Sequence, residues 1–346
     1  MVAPSTYQLF VGIDIAAETF TAFWSPFSPE RDRPITLPNT PAGSARLCEQ
    51  LQATGVTPAA TLIVLEATST YWVALAVALH TAGFHVAVAN PAQVRNFAKS
   101  LPRRGKTDAL DAALLVRFAA ERQPTRWFPP PELYHELRQR LAARDALVAM
   151  RQQARNHRHA LLRWPSVVPA VQEHLDQLIV DLETRITTLE QELATLLRKG
   201  AWSETATLVL SIPGFGIITT AWLLVVTLNF TACASVEAAT AYAGLAPQPH
   251  QSGSSVRGRS QIGHGGNERL RTALYMATLS AARTNPLIRP FYARLRASGK
   301  PMKVARCAAA RKLLHLAYAV VKKKQRFDPA YCARSSAFVD EVSRAA

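Results

Sequence analysis

Residues 8–24, QLFVGIDIAAETFTAFW, hold two short runs rich in β-branched and aromatic residues, Gln8–Ile15 and Thr19–Trp24, separated by Ala16–Glu18. The first run alternates in the manner of a half-buried strand, and an acidic residue, Asp14, interrupts its apolar end. A carboxylate where a strand leaves its core costs free energy unless a partner or ligand compensates. Working outward, Pro34–Leu37 reads as a third strand and Ala42–Thr54 as a helix. Thr61–Leu65 follows as a buried strand, Tyr71–Ala82 as a helix closed by Gly83, and Phe84–Ala89 as a strand stopped by Asn90-Pro91. Two further helical stretches run to about Glu121.

The order β-β-β-α-β-α-β-α is that of RNase H-like nucleases, a mixed sheet with helices on its faces. Four acids occupy telling places in it. Asp14 ends the first strand, Glu66 follows LIVL at the end of the fourth, and Asp108 and Asp111 lie one helical turn apart on the last helix. Strand ends facing that helix would bring the four together. Such hard oxygen donors suit Mg2+ or Mn2+, which support phosphoryl transfer. Sugar-kinase and actin-like ATPases also begin with GID on a first strand, but they need a glycine-rich phosphate turn, and AAETF supplies no glycine.

Bulk properties agree with a multidomain intracellular protein. A chain of 346 residues, 49% hydrophobic and 18% charged, exceeds what one core usually organises. The cysteines Cys48, Cys233, Cys307 and Cys332 show neither zinc-site nor disulfide spacing. The N-terminus lacks the basic start of a signal peptide, and the apolar stretch Leu208–Leu228 is broken by Pro213, Gly214 and Gly216, so no membrane span is expected and the expected location is cytoplasmic, at the nucleoid when active. The net charge of +16 is concentrated: residues 251–330 carry 17 Lys and Arg against Glu268 and Asp328. Cations at that density, alternating with Leu287, Ile288, Phe291, Tyr292 and Leu295, point to a folded surface that binds nucleic acid.

Between the acidic and basic parts, Glu132–Arg163 and Val167–Arg198 read as long helices broken at Trp164-Pro165. Leu175, Leu178, Leu182, Ile186, Leu189, Leu193 and Leu196 step by threes and fours, a coiled-coil seam that either joins chains or closes an intramolecular hairpin against Leu137, Leu141, Val148 and Leu161. His157 and His159 lack companion ligands. SIPGFGIITTAWLL from Ser211 has the form of a helix-hairpin-helix element offering backbone amides to a phosphate, and equally that of a buried turn. A polar Gly/Ser-rich loop then runs into a basic helical segment. The expected organisation is thus α/β plus all-α: a catalytic domain over 1–125, a helical coiled-coil region over 126–200, a basic domain over 201–335, and a tail over 336–346.

Across these landmarks, GIDIA at Asp14, LEATSTYW at Glu66, NPAQVRNFAKS with KTDALDA around Asp108 and Asp111, IPGFGIITTA, and GLAPQPHQSG followed by GGNERLRTAL, the chain resembles the DEDD-type insertion-sequence transposases of the IS110 family, relatives of the Piv-type DNA invertases. The resemblance spans nearly the whole chain. It implies a RuvC-like N-terminal domain, Asp14, Glu66, Asp108 and Asp111 as a metal-binding tetrad, and Ser252 in HQSG as a serine nucleophile. From the residues alone, a serine in such a loop reads as linker, and Ser254, Ser255 and Ser260 stand close by. Gln261-Ile262-Gly263-His264-Gly265-Gly266 departs from the family's serine-lysine-glycine pattern. The expected partners are double-stranded DNA and further copies of the chain as a dimer or tetramer, and the resemblance implies an element-encoded guide RNA as well. Expected nucleic-acid contacts are Lys106, Arg257, Arg259, Arg269, Arg271, Lys303 and Arg311. A hydrolytic Holliday-junction endonuclease and a non-catalytic nucleic-acid-binding protein are the alternatives.

Overall fold

The computed structural model describes residues 7–24, 34–67, 69–101, 107–252, 256–263 and 265–330, with the main chain alone over 249–261. Its contacts divide it into two compact units, Met1–Pro129 and Pro130–Ala346. The first is a mixed α/β unit. Strands β1 (Leu9–Ile15), β2 (Thr19–Trp24), β3 (Ile35–Pro38), β4 (Thr61–Glu66) and β5 (His85–Ala89) form one sheet in the order β3-β2-β1-β4-β5. The β2 strand is antiparallel to β1 and β3, whereas β1, β4 and β5 run parallel. Helices α1 (Pro41–Gln52), α2 (Trp72–Thr81), α3 (Pro91–Lys99) and α4 (Asp108–Arg122) are interleaved with the strands as the hydrophobic pattern predicts, with ends shifted by a residue or two.

Strand periodicity assigns the faces. Leu9, Val11, Ile13 and Ile15 of β1 join Ile63 and Leu65 of β4 in a core closed by Leu47 and Leu51 of α1 and Leu75 and Leu79 of α2. The alternate residues Leu62 and Val64 of β4 and Ala87 and Ala89 of β5 pack on the other side against Val94 and Phe97 of α3 and Leu114, Leu115 and Phe118 of α4. Gly12 belongs to this second face. A Cβ there would overlap the carbonyl oxygen of Ala112 and come within 2.5 Å of the Val116 amide nitrogen, so glycine is what lets α4 lie directly on β1.

Among the described residues, the second unit is helical apart from one hairpin. The long helices α5 (Glu132–Leu161) and α6 (Pro169–Lys199) are each about 45 Å long by their residue counts of 30 and 31. Antiparallel ion pairs tie them in register: Arg140 to Glu192 at 2.8 Å, Arg144 to Glu190 at 2.7 Å, Arg155 to Glu183, and Arg158 to Asp176 at 2.6 Å. Half-exposed pairs contribute at most about 1 kcal/mol each, so they select register more than they stabilise. The buried stripe of α6 is Ile179, Leu182, Ile186, Leu193 and Leu197. Leu178 is 47% exposed and Leu196 half-buried, although both belong to the stripe expected from sequence. Steps of three and four from Leu182 and Leu193 reach either neighbour, and the facing helix selects Ile179 and Leu197.

At its base the α5–α6 pair enters the core of the same unit, where Leu137, Leu141, Leu193 and Leu197 pack with α7 (Ser203–Leu210), α8 (Ile217–Thr227), α9 (Val236–Tyr242), α10 (Glu268–Thr284) and α12 (Met302–Lys323). Ile288 of α11 (Ile288–Ala297) joins them. The turn between α7 and α8 is held by α10: Asn285, which caps that helix, donates to the Pro213 carbonyl at 2.8 Å, and Gly214, at φ +110°, has Ala281 2.5 Å from where a Cβ would stand. Among the described residues no helix is long and apolar enough to cross a membrane. The segment expected to be a Gly/Ser-rich loop is instead a β-hairpin, β6 (Pro247–Ser252) and β7 (Val256–Ile262), closed by the pair Ser252–Val256. Its strands are mostly polar and offer no apolar alternation by which to recognise them.

Two stability measurements probe this packing. Gly12→Val should lower stability by about 1–3 kcal/mol through overpacking between β1 and α4, read as a lower urea midpoint; an unchanged midpoint would remove Gly12 from that role. On α12, the half-buried His315 ring lies 3.1 Å from the Thr240 hydroxyl of α9, which donates to the Val236 carbonyl at 2.7 Å and so accepts from the ring. Desolvation, with Arg311 and then Lys312 nearby, pushes the His315 pKa below its usual 6.5, against a weaker opposing pull from Glu237. The unfolded chain therefore takes up this proton first, and the stability due to His315 is complete above pH 6.5 and is lost as pH falls toward the folded pKa. Urea unfolding at pH 8 and pH 5.5 should show a smaller loss for His315→Gln than for wild type, and equal losses would exclude the linkage.

Candidate active site

Two parallel strands and one helix terminus build the acidic cluster. The β1–β4 register runs from Leu9–Thr61 to Ile13–Leu65, and one further step sets Asp14 beside Glu66. Both lie on the face of Gly12 and Val64, the face that α4 covers. On α4, Ala112 and Leu115 approach Gly12, and Asp108 and Asp111 share that side in the first turn. The turn is started by Thr107, whose side chain accepts the Leu110 amide at 3.2 Å. A helix N-terminus favours these two carboxylates through its macrodipole.

Electrostatics record the convergence. The half-buried Asp14 carboxyl is pushed above its usual value of 3.8, first by desolvation and then by the charges of Asp111, Asp108 and Glu66 in that order; a hydrogen bond from the Ile15 amide opposes the shift. The other three sequence-predicted acids therefore all act on Asp14. Among the described residues no group of three or more His, Cys, Asp or Glu is close enough together to hold a metal ion. The carboxylates share a field but not a ligand sphere, the arrangement that mutual repulsion favours. Glu66 and Asp111 make further interactions of their own.

The other expected residues are placed less uniformly. Ser252 ends β6, with its side chain outside the described residues, as are those of Arg257, Arg259 and Ser260; Lys106, Ser254, Ser255 and the tail 336–346 lie outside altogether. The hairpin that carries Ser252 is anchored by glycines. Gly244 and Gly266, at φ +68° and +84°, meet so closely that a Cβ on either would overlap the other's neighbourhood, and Arg271 donates to the Gly265 carbonyl at 2.9 Å. Arg271 thus holds the foot of the hairpin, and Arg269 pairs with Asp145 of α5 at 3.2 Å. Lys303 is exposed at the start of α12, and Arg311 is half-buried near His315 and Glu237. Sequence reasoning overlooked Gly12, although its place two residues before Asp14 on the same face was the available signal.

An acidic cluster on a mixed sheet, joined to a helical unit rich in cations, is the layout of an enzyme that transposes or recombines DNA, and comparison with known proteins bears this out. Residues 11–164 match the DEDD-type IS110 transposase family, and residues 206–293 match the Transposase IS116/IS110/IS902 family. The chain is 32% identical over 330 residues to the pilin gene-inverting protein of Moraxella bovis, spanning 93% of this chain and 98% of that protein. It is 31% identical over 187 residues to an uncharacterized 42 kDa protein of insertion element IS900 from Mycobacterium paratuberculosis, which covers 54% of this chain and 46% of the relative. The chain belongs to the IS110 family of transposases. The first matched segment contains Asp14, Glu66, Asp108 and Asp111, and the second contains Ser252, Arg257, Arg259, Arg269 and Arg271.

The repulsion has a measurable consequence. In chelator, Asp14→Asn removes the desolvated charge while keeping an acceptor for the Ile15 amide, so the variant should unfold at a higher temperature than wild type. An equal or lower unfolding temperature would show that the cluster carries no net strain.

Proposed function

We propose that the chain cuts and rejoins DNA by transesterification to Ser252, assisted by the carboxylates Asp14, Glu66, Asp108 and Asp111 on an RNase H-like domain. The observation that carries this reading is the placement of Asp14 and Glu66 at adjoining ends of the parallel strands β1 and β4, with Asp108 and Asp111 in the first turn of the helix that covers them, because such a set of hard oxygen donors is suited to a divalent cation such as Mg2+ or Mn2+. The sheet order β3-β2-β1-β4-β5, with the acids at its parallel strand ends and facing helix, supports the RNase H-like assignment. When bound, such a cation supplies neutralisation of the charge that develops on the phosphoryl oxygens.

The chain's own groups then have defined tasks. The Ser252 hydroxyl oxygen forms a bond to phosphorus as the bond from phosphorus to the 3′ oxygen breaks. The serine proton passes to a carboxylate of the cluster, and the 3′ oxygen leaves as a hydroxyl after taking up a proton. One phosphoester replaces another, so the same steps in reverse reseal the strand, an economy that water as nucleophile would forfeit. Arg257 and Arg259, next to Ser252 in sequence, bind the scissile phosphate in this scheme, while Lys106, Lys303 and Arg311 serve the flanking backbone.

Asp111 and Ser252 belong to different compact units, and we place them together in an assembly of two or four copies in which one copy's serine serves another's carboxylates. Large apolar side chains left exposed toward the α5–α6 turn, among them Trp164 at 69% and Val168 and Val180 at 59%, support a contact between copies there. An element-encoded RNA choosing the DNA target follows from the family resemblance, and the cationic C-terminal segment suits such a ligand.

Denaturing electrophoresis tests the chemistry. Wild type with Mg2+, flank-derived RNA and labelled junction DNA should give a protease-sensitive covalent adduct that Ser252→Ala abolishes, and Asp111→Asn should abolish adduct and cleavage together. Cleaved DNA with no adduct in wild type and Ser252→Ala alike would transfer the assignment to a hydrolytic junction endonuclease. Mixing Ser252→Ala and Asp111→Asn subunits should restore activity through sites shared between copies, and a dead mixture would show each site to be built within one chain.

A further inference from the structure

The motif NPAQVRNFAKS, residues 90–100, has no part in the scheme above, and the structure places it on α3 directly beyond β5. Asn90 caps that helix by accepting the Ala92 amide at 2.9 Å, and Pro91 occupies its first turn. Val94 and Phe97 are buried toward the sheet, which leaves Gln93, Asn96 and Ser100 on an adjoining stripe. These three line a cleft of about 620 Å³, whose inner wall holds the rings of Phe97 and Phe118 and whose rim carries Arg122 from the last turn of α4. The volume lies within the range of roughly 300–1,000 Å³ found for small-ligand sites.

Three observations give the cleft a ligand chemistry. First, its lining reaches Ala89, the residue paired with Glu66 across the parallel β4–β5 ladder, so one wall of the cleft lies one strand, about 4.8 Å in backbone spacing, from a residue of the acidic cluster. Second, Gln93 and Asn96 form no side-chain hydrogen bond within the described residues, while each carries a paired donor and acceptor of the kind that reads a base edge. Third, the Arg122 guanidinium lies over the Phe97 ring at 5.5 Å, and that ring is braced edge-on by Phe118 at 5.4 Å, so a cation stands at the mouth where an anion can reach it.

We propose that this cleft seats one unpaired nucleotide of the strand undergoing reaction, or of the RNA paired beside it, with the Gln93 and Asn96 amides on the base edge and Arg122 on the phosphate. A space of this size accommodates a single nucleotide, and laying its base edge against the Gln93 and Asn96 amides calls for a base withdrawn from its partner. The proposal rests on the reading of the acidic cluster as the cutting site, because adjacency to Glu66 is what supplies the strand. The seat would fix the phase of the strand relative to the cluster, making Gln93, Asn96 and Arg122 positioning residues for the choice of bond.

The experiment uses the full chain in chelator, so that binding is read without cleavage. Single-stranded DNA and single-stranded RNA 12-mers containing 5-iodouracil are irradiated with wild type, with Gln93→Ala/Asn96→Ala and with Arg122→Gln, and cross-linked peptides are located by mass spectrometry. Wild type should cross-link within residues 91–100 or 118–125 to the DNA, the RNA or both, which identifies the source of the nucleotide. The double variant should reduce that yield roughly tenfold, the scale expected for loss of base-edge hydrogen bonds, with an unchanged unfolding temperature and unchanged affinity for duplex DNA. Cross-links that map elsewhere for both strands, or a yield that neither variant alters, overturn the proposal. Asp111→Asn separates the two readings: if it still cleaves, the catalytic assignment fails while the cross-link stands, and if it cleaves nothing while wild type shows no cross-link here, the cleft alone fails.

Discussion

The direct contact of α4 with β1 at Gly12 is the constraint on which the acidic site depends. A helix resting on ordinary strand residues stands off the sheet by the depth of their side chains. Removing one Cβ lets the backbone of α4 reach the backbone of β1, with the Ala112 carbonyl and Val116 amide directly over the glycine. The first turn of α4 is thereby brought down to the level of the strand ends, where Asp14 and Glu66 emerge. The favourable packing of Ala112, Leu115 and Val116 is thus opposed by the charge it brings together, since α4 carries Asp108 and Asp111 toward an already desolvated Asp14. Burial of apolar surface further along the helix, through Leu114, Phe118 and Ala119, holds the helix in place against that repulsion.

The same division between a scaffold and a presented group recurs in the second unit. The hairpin carrying Ser252 has little apolar content of its own, and what holds it is the pinch of Gly244 against Gly266 together with the bond from Arg271 to Gly265. Arg271 is consequently a residue of the frame. Arg269, engaged with Asp145 of α5, ties the start of α10 to the long helices, so two cations that composition alone would assign to phosphate binding have partners within the chain. Net charge locates a surface that meets nucleic acid; it does not say which cations on it are free to do so.

What was legible in the sequence follows from this physics. The five strands of the first unit, its helices and the position of all four acids could be read because alternation and caps are local signals, and because an acid at the end of an apolar strand is conspicuous. The β6–β7 hairpin could not, since Pro247, Gln248, His250 and Gln251 offer no apolar face from which to count a period of two. The α6 stripe was readable in kind but not in phase: Leu178 and Ile179 are equally apolar, and only the facing helix decides which is buried. The turn at Pro213–Gly216 allowed two readings from sequence, and what distinguishes its surroundings is Asn285, 72 positions later, bonding to the Pro213 carbonyl. Contacts of that separation leave no periodic trace.

The polar face of α3 shows where local reading stops for function as well. On a helix at the edge of a domain, Gln93, Asn96 and Ser100 would pass as a solvated stripe, the ordinary fate of such residues. Their placement changes the argument, because β5 ends beside β4 and the helix that follows must begin near Glu66. A parallel ladder obliges the loops after neighbouring strands to share one end of the sheet, so the acids that follow one strand and the amides that follow the next become neighbours without any sequence proximity. In the proposed reading, chemistry at the carboxylates and recognition along α3 would be two uses of a single topological edge, coupled through the shared register of β4 and β5.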